Sequence, residues 1–109
     1  MPRSESRRGT VPEPPEIDRL VHEPARFLVL AHLYVLEWAD FLFLMRRIGL
    51  TRGNLSSHMS KLEAAGYVEV RKEFVGRRPH TSYKLTAKGR DAFQGYRRDM
   101  TEMLDGLPD

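Results

Sequence analysis

Apolar residues first recur at helical spacing at Ile17, Leu20 and Val21. From Phe27 to Leu36 they fall on nearly every face, as Phe27, Leu28, Leu30, Ala31, Leu33, Tyr34, Val35 and Leu36. A surface helix needs only one apolar stripe. Residues 17–36 therefore read as a helix buried in the core and, in a chain this small, also in a subunit interface. Pro24 suits the first turn of a helix, where its missing N–H costs nothing, so a break is expected near residues 22–24.

The pattern then shortens. Residues 37–39 read as a connection or a brief strand. Asp40 is a good N-cap for a helix over 41–48, and Gly49 supplies the positive φ that ends it. Leu50 is expected to turn inward and Thr51 to cap a helix over 52–65, with Leu55, His58 or Met59, Leu62 and Ala65 as its core positions. Gly66 follows at C′. There the period changes from helical to alternating. Residues 67–73 read as a strand with Val68 and Val70 on one face, residues 74–80 as a turn built on Gly76 and Pro79, and residues 81–85 as the returning strand. Thr86 caps a last helix over 87–104, with Ala92, Phe93, Tyr96, Met100, Met103 and Leu104 on its apolar side. The order is helix, helix, helix, hairpin, helix: an α+β chain, mainly α.

Composition narrows the field. The chain has 109 residues, one domain's worth, and no cysteine. Disulfides, thiolate metal sites and thiol catalysis are excluded. Residues 1–10 lack an apolar signal-like run. The apolar stretch 27–45 is interrupted by His32, Glu37, Trp38 and Asp40, so it is not a membrane span. A cytoplasmic protein is expected. Residues 1–15, with four prolines, read as a flexible arm whose Arg3, Arg7 and Arg8 could touch phosphates. Residues 16–105 then form the folded domain.

The net charge of +3 is unevenly placed. Residues 1–70 balance to zero, residues 71–98 carry +7, and residues 99–109 carry −4. One segment thus holds the basic excess, a pattern that suits an anionic partner such as nucleic acid.

Two short helices joined by a tight Gly-containing turn form a helix-turn-helix pattern over residues 40–65. The outer face of the second helix offers Arg52, Asn54, Ser56, Ser57, Ser60 and Lys61, with no acid until Glu63. Arg can pair with guanine O6 and N7, and Asn with adenine N6 and N7, in a major groove. Thr51 opens the helix, whose free N–H groups suit a phosphate. The basic hairpin tip, Gly76, Arg77, Arg78 and Pro79, suits a phosphate ridge or a narrow minor groove.

The runs GLTRGNLSSHMSKLEAAGYVEV (49–70) and FVGRRPHTSYKLTAKGR (74–90) resemble winged-helix transcriptional regulators of the MarR/ArsR-like kind, closest to their short single-domain branch. The resemblance covers residues 17–104. It is most specific in Leu55, His58, Met59, Leu62 and Ala65 to Val68, and in Tyr83 to Thr86 with Gly89. It implies a winged helix-turn-helix of three helices, a hairpin wing and a C-terminal helix. It further implies a homodimer, through helices 17–36 and 87–104, on pseudopalindromic duplex DNA, with recognition helix 52–65 and wing 74–80. Metal-sensing members use thiolates or clustered ligands, which this sequence does not supply. Larger drug-sensing members use longer terminal helices for a ligand pocket, so a small-molecule effector is allowed but not indicated.

The expected function is a sequence-specific duplex-DNA regulator of transcription, with steric repression as its simplest mode. Arg52, Asn54, Ser56 and Ser57 would read or flank bases. Thr51, Lys61 and Lys84 would hold phosphates, and Arg77, Arg78 and His80 would make the wing contact. The rival expectation is a winged-helix protein-interaction module without DNA binding. A single-strand or RNA binder would call for exposed aromatics near the basic strip, and Phe74 and Tyr83 are the candidates there. Trp38, Tyr34 and the phenylalanines otherwise read as core. His22, His32, His58 and His80 form no i, i+3 or i, i+4 pair for a metal. No cofactor, phosphate loop or nucleophile elbow is read, and the chain is not expected to be an enzyme.

Overall fold

A computed structural model describes Val11 and residues 16–109. The arm expected over 1–15, with Arg3, Arg7 and Arg8, otherwise lies outside the described residues. The described chain runs α1 (Pro24–Val35), β1 (Ala39–Asp40), α2 (Phe41–Ile48), α3 (Arg52–Ala64), β2 (Val68–Val75), β3 (Arg78–Leu85) and α4 (Ala87–Asp105). The three strands form one antiparallel sheet in the order β1-β3-β2. This is a winged helix-turn-helix, mainly α.

The first helix starts later than its apolar spacing predicts. Residues 17–23 turn instead of coiling. The Asp18 carboxylate accepts from the N–H groups of Leu20 and Val21, at 2.9 and 3.2 Å. Such local side-chain bonds compete with a helix. The Glu23 side chain then caps α1 by accepting from Arg26 N at 2.7 Å, and Pro24 takes the first helical position. Val21 still reaches the core, but from a turn.

The core gathers Val29, Leu30 and Leu33 of α1, Phe41 and Leu44 of α2, Leu55, Met59 and Leu62 of α3, Val68, Tyr83 and Leu85 of the sheet, and Phe93 of α4. Only one side of α1 is enclosed, and Val35 is 81% exposed. Phe93 meets Phe27 at 5.6 Å and Tyr34 at 5.3 Å between ring centroids, which holds α4 against α1. Arg90 lies 4.5 Å from the Tyr34 ring centre and Arg97 5.5 Å. A hydrogen bond from Gln94, with these two cations, holds the Tyr34 phenol below its ordinary value.

The hairpin is longer than the sequence suggests. Its loop is Gly76–Arg77 alone, because β2 continues to Val75 and β3 begins at Arg78. Gly76 has φ +64°, and among the described residues only glycines have positive φ, so Arg77 does not, as a type II′ turn requires. Pro79 is therefore a strand residue, opposite Phe74, and not part of the turn. Val75 and Arg78 close the loop as a hydrogen-bonded pair, so the next position points its backbone away from β2. The other side of β3 is open there, since β1 reaches only Ser82 and Tyr83. The missing N–H of Pro79 breaks no ladder bond.

The end of α3 is tied to the start of α4. Thr86 Oγ1 donates to the Gly66 carbonyl at 2.6 Å and accepts from Gly89 N at 3.0 Å. Gly89 is buried, and a Cβ there would overlap the Tyr67 carbonyl. Helix propensity alone predicts that Gly89→Ala adds about 1 kcal/mol. The overlap reverses the sign, and thermal unfolding is expected to show a loss of about 1–3 kcal/mol.

Tyr67 donates to Asp18 Oδ2 at 2.6 Å, pinning the turn before α1 to the start of β2. Burial first, and then this bond, push the phenol up to about 12. A phenol raised above its unfolded value of about 10 contributes stability below about pH 10 and loses it as pH rises toward the folded value. Tyr67→Phe is expected to cost about 1 kcal/mol at neutral pH. Its stability should then fall less steeply than the wild type's between about pH 10 and pH 12 in alkaline unfolding curves.

Candidate nucleic-acid interface

The helix α3 is held by Leu55, Met59 and Leu62, all buried, at spacings of four and three. At 100° per residue, Gly53, Ser57, Ser60 and Ala64 stand farthest from that seam. Asn54 and Lys61 flank them on one side, and Ser56 on the other. All seven are exposed. Gly53 has nothing within 4 Å of where a Cβ would stand, so the backbone there is open to close approach.

Two caps aim this helix. Gly49, at φ +81°, ends α2, and its N–H returns to the Met45 carbonyl. Thr51 then accepts from Asn54 N at 3.1 Å and starts α3. The hydroxyl of Thr51 is thereby engaged, leaving its helix N–H groups as the phosphate donors at that end. His58 faces α1. Its Nδ1 lies 3.1 Å from an Arg26 guanidinium nitrogen and its Nε2 3.8 Å from Glu23. It is half-buried and braces α3 against the capped start of α1.

Arg52 and Ser56 face the wing. With Lys72, Thr81 and Pro79 they line an open cleft of about 430 Å³ between α3 and the hairpin, floored by Phe41 and Tyr83. The Arg52 guanidinium lies 5.7 Å from the centre of the Phe41 ring. Burial, and secondarily the Glu63 carboxylate, raise the Tyr83 phenol, so it stays neutral on the floor. Among the described residues, none of Arg52, Lys61, Lys72, Arg77 and Arg78 pairs with a carboxylate. Their charge is available to an outside anion.

The remaining expected wing residues are placed differently from Arg77 and Arg78. His80 Nδ1 is 3.2 Å from Asp40 Oδ1, so its ring is turned back to the foot of α2. The other Asp40 oxygen caps that helix through Leu42 N at 2.9 Å and Phe43 N at 3.2 Å. Lys84 lies six residues below the tip, ~20 Å along the strand, on the outer face of the sheet. It shares the Trp38 ring with Arg71, at 5.7 and 4.1 Å from the ring centre. The structure thus brings together Arg52, Ser56 and the wing, and separates Lys84 from them.

Trp38 is a platform for two cations and not a core residue. Lys72 and Thr81 are the cleft residues that sequence reasoning missed. The signal was present: Lys72 has the same strand parity as Val68 and Val70, so it continues their face beyond the core.

Residues 25–104 match the family model described as "Winged helix DNA-binding domain". The chain belongs to that family. An uncharacterized protein of Methanocaldococcus jannaschii is 38% identical over 89 residues, which is 82% of this chain and 97% of that one. A transcriptional regulator homologue from Pyrococcus horikoshii OT3 superposes with a TM-score of 0.76 at 27% identity, covering 82% of this chain and 88% of that chain. The YusO protein of Bacillus subtilis shares the fold, with a TM-score of 0.71 at 17% identity over 80% of this chain and 61% of its own. The likeness to regulators of the MarR/ArsR-like kind holds at the level of the winged-helix fold. No described helix is long and apolar enough to cross a membrane.

Proposed function

We propose that this protein is a sequence-specific duplex-DNA binder that regulates transcription as a homodimer, with steric repression as its mode. The observation that carries the reading is the set of unpaired cations around a polar helix face. Arg52, Lys61, Lys72, Arg77 and Arg78 border a helix whose outward side chains are Asn54, Ser56, Ser57 and Ser60. A protein-binding helix would show apolar anchors on that face, and none is there. The regulator homologue from Pyrococcus horikoshii supports the same reading.

In this mechanism α3 enters a major groove from its N-terminal half. Asn54 and Arg52 pair with base edges, and Ser56 and Ser57 contact bases or sugars. The start of α3 at Thr51, together with Lys61 and Lys72, holds phosphates, and the cleft between α3 and the hairpin straddles one strand. Arg77 and Arg78 neutralise the neighbouring ridge. His80 contributes by fixing the wing to Asp40, and Lys84 serves the sheet's outer face.

The dimer reading rests on apolar surface left open on the terminal helices, α1 over 24–35 and α4 over 87–105. Phe27, Tyr96, Met100 and Leu104 line one shallow groove, and Leu104 is 64% exposed. Two such chains about a two-fold axis would set their reading helices about 34 Å apart on one face of the duplex. The place proposed for it is the cytoplasm.

Selection from a random duplex library is expected to enrich an inverted repeat with half-sites about one helical turn apart. In anisotropy titrations on that site, Arg77→Ala with Arg78→Ala should weaken binding to every sequence and reduce the salt slope by about 2. An unchanged slope removes the wing from the interface. Asn54→Ala should instead relax base preference, by about 1–3 kcal/mol at one position. Sedimentation at micromolar concentration should show a dimer, which Leu104→Asp disrupts. A wild-type species of 12.6 kDa, the monomer mass, contradicts the dimer.

A further inference from the structure

Phe74 leaves 74% of its surface open, against 44% for Phe43, the next most exposed phenylalanine among the described residues. Nothing in the core depends on its ring. Its neighbour Val75 is also exposed. These two apolar side chains stand directly before the Gly76–Arg77 loop, beside Arg78.

The direction of the ring follows from register. Residues directly opposite on paired strands share a face. Val70 faces Tyr83, Lys72 faces Thr81, and Phe74 faces Pro79. Tyr83 is buried, so this is the face that covers the core and then continues past α3 as the wall of the cleft. Pro79 lies four residues beyond Tyr83, ~13 Å along the strand. A major groove is about 12 Å wide. With α3 in that groove, an overhang of this length is enough to reach over the bordering phosphate ridge toward the adjacent minor groove. The opposite face of the tip presents Val75 and Arg78, and Arg77 stands on the loop. The nearest acid, Glu73, is engaged by Arg71 at 3.7 Å.

The surroundings choose the occupant. Phe74 shares its face of the wing with Lys72, and Arg77 and Arg78 stand at the same tip, so a second wing would be repelled and an anionic surface attracted. A minor groove offers apolar sugar walls between two lines of phosphate. Apolar side chains entering it unstack a base step, and this is easiest at pyrimidine–purine steps. We infer that Phe74 is an apolar wedge of the wing, entering the minor groove beside the reading helix and adding a preference for a deformable step. Arg77 and Arg78 hold the flanking phosphates while the ring senses how readily the step opens. The inference rests on the duplex-DNA reading above and gives the wing a share in specificity.

Parallel selections from one random duplex library with the wild type, Phe74→Ala and Phe74→Leu test it. The wild-type pool is expected to carry a TA or CA/TG step about half a helical turn outside the bases read by α3. The Phe74→Ala pool should keep the inner bases and lose that step, with affinity for the wild-type site down about tenfold. Phe74→Leu should keep part of the preference, because a branched apolar side chain still wedges. A 2-aminopurine placed at the step should brighten with the wild type and not with Phe74→Ala. Identical pools for the wild type and Phe74→Ala overturn this inference and leave the duplex reading standing. Failure of the wild type to bind any duplex overturns both. A Phe74→Ala protein that changes its sedimentation and not its pool marks the ring as a protein contact, which also overturns the inference.

Discussion

A two-residue strand governs the geometry on which everything else depends. Ala39 and Asp40 pair with Tyr83 and Ser82 of β3, and the next residue begins α2. Asp40 acts in three ways at once. Its backbone is in the sheet, one carboxylate oxygen caps α2, and the other meets His80. The helix-turn-helix and the wing are therefore joined at one residue and cannot move independently without breaking a cap or a strand pair. A cap is worth about 1 kcal/mol. The positional consequence is larger, since the width of the α3–wing cleft follows from this junction.

From that junction the molecule separates into two kinds of surface. Toward α3 and the wing tip the exposed groups are cations, hydroxyls and an amide, with carboxylates engaged or displaced. Toward α1 and α4, Leu28, Val35 and Leu104 leave apolar surface exposed among charged side chains. The first suits an anionic, hydrated partner, and the second suits burial against a matching face. His58, hydrogen-bonded to Arg26 near the Glu23 cap, connects the reading helix to the helix beneath the apolar surface. Phe74 and Val75 are exceptions, apolar side chains on the polar side, and the Phe74 ring stands where a duplex would offer its sugar walls.

The elements whose ends are marked by local chemistry were legible in the sequence. Asp40, Gly49, Thr51, Gly66 and Thr86 each do what their residue type predicts, and α2, α3 and α4 begin where those caps place them. The outward face of α3 was legible for the same reason, because three buried positions fix the rest by periodicity. The failures have physical causes. Residues 17–23 have helical spacing, but Asp18 offers their N–H groups a nearer acceptor. Pro79 reads as a turn residue, yet a strand tolerates it where β3 has no second neighbour. Periodicity does not show the tertiary contacts of Lys84 with Trp38 or of His80, which lines the cleft, with Asp40. Trp38 reads as core because periodicity cannot tell a buried ring from one covered by guanidinium.

The central claim is that α3 and the wing together form one face for duplex DNA. An amide NMR titration of the intact protein with a mixed-sequence duplex at low salt tests it directly, because phosphate contacts form on any sequence. Shifts are expected to concentrate at residues 51–61 and 72–81, with α4 beyond Phe93 little changed. Shifts confined to α1 and α4, or none at any duplex concentration, would contradict it.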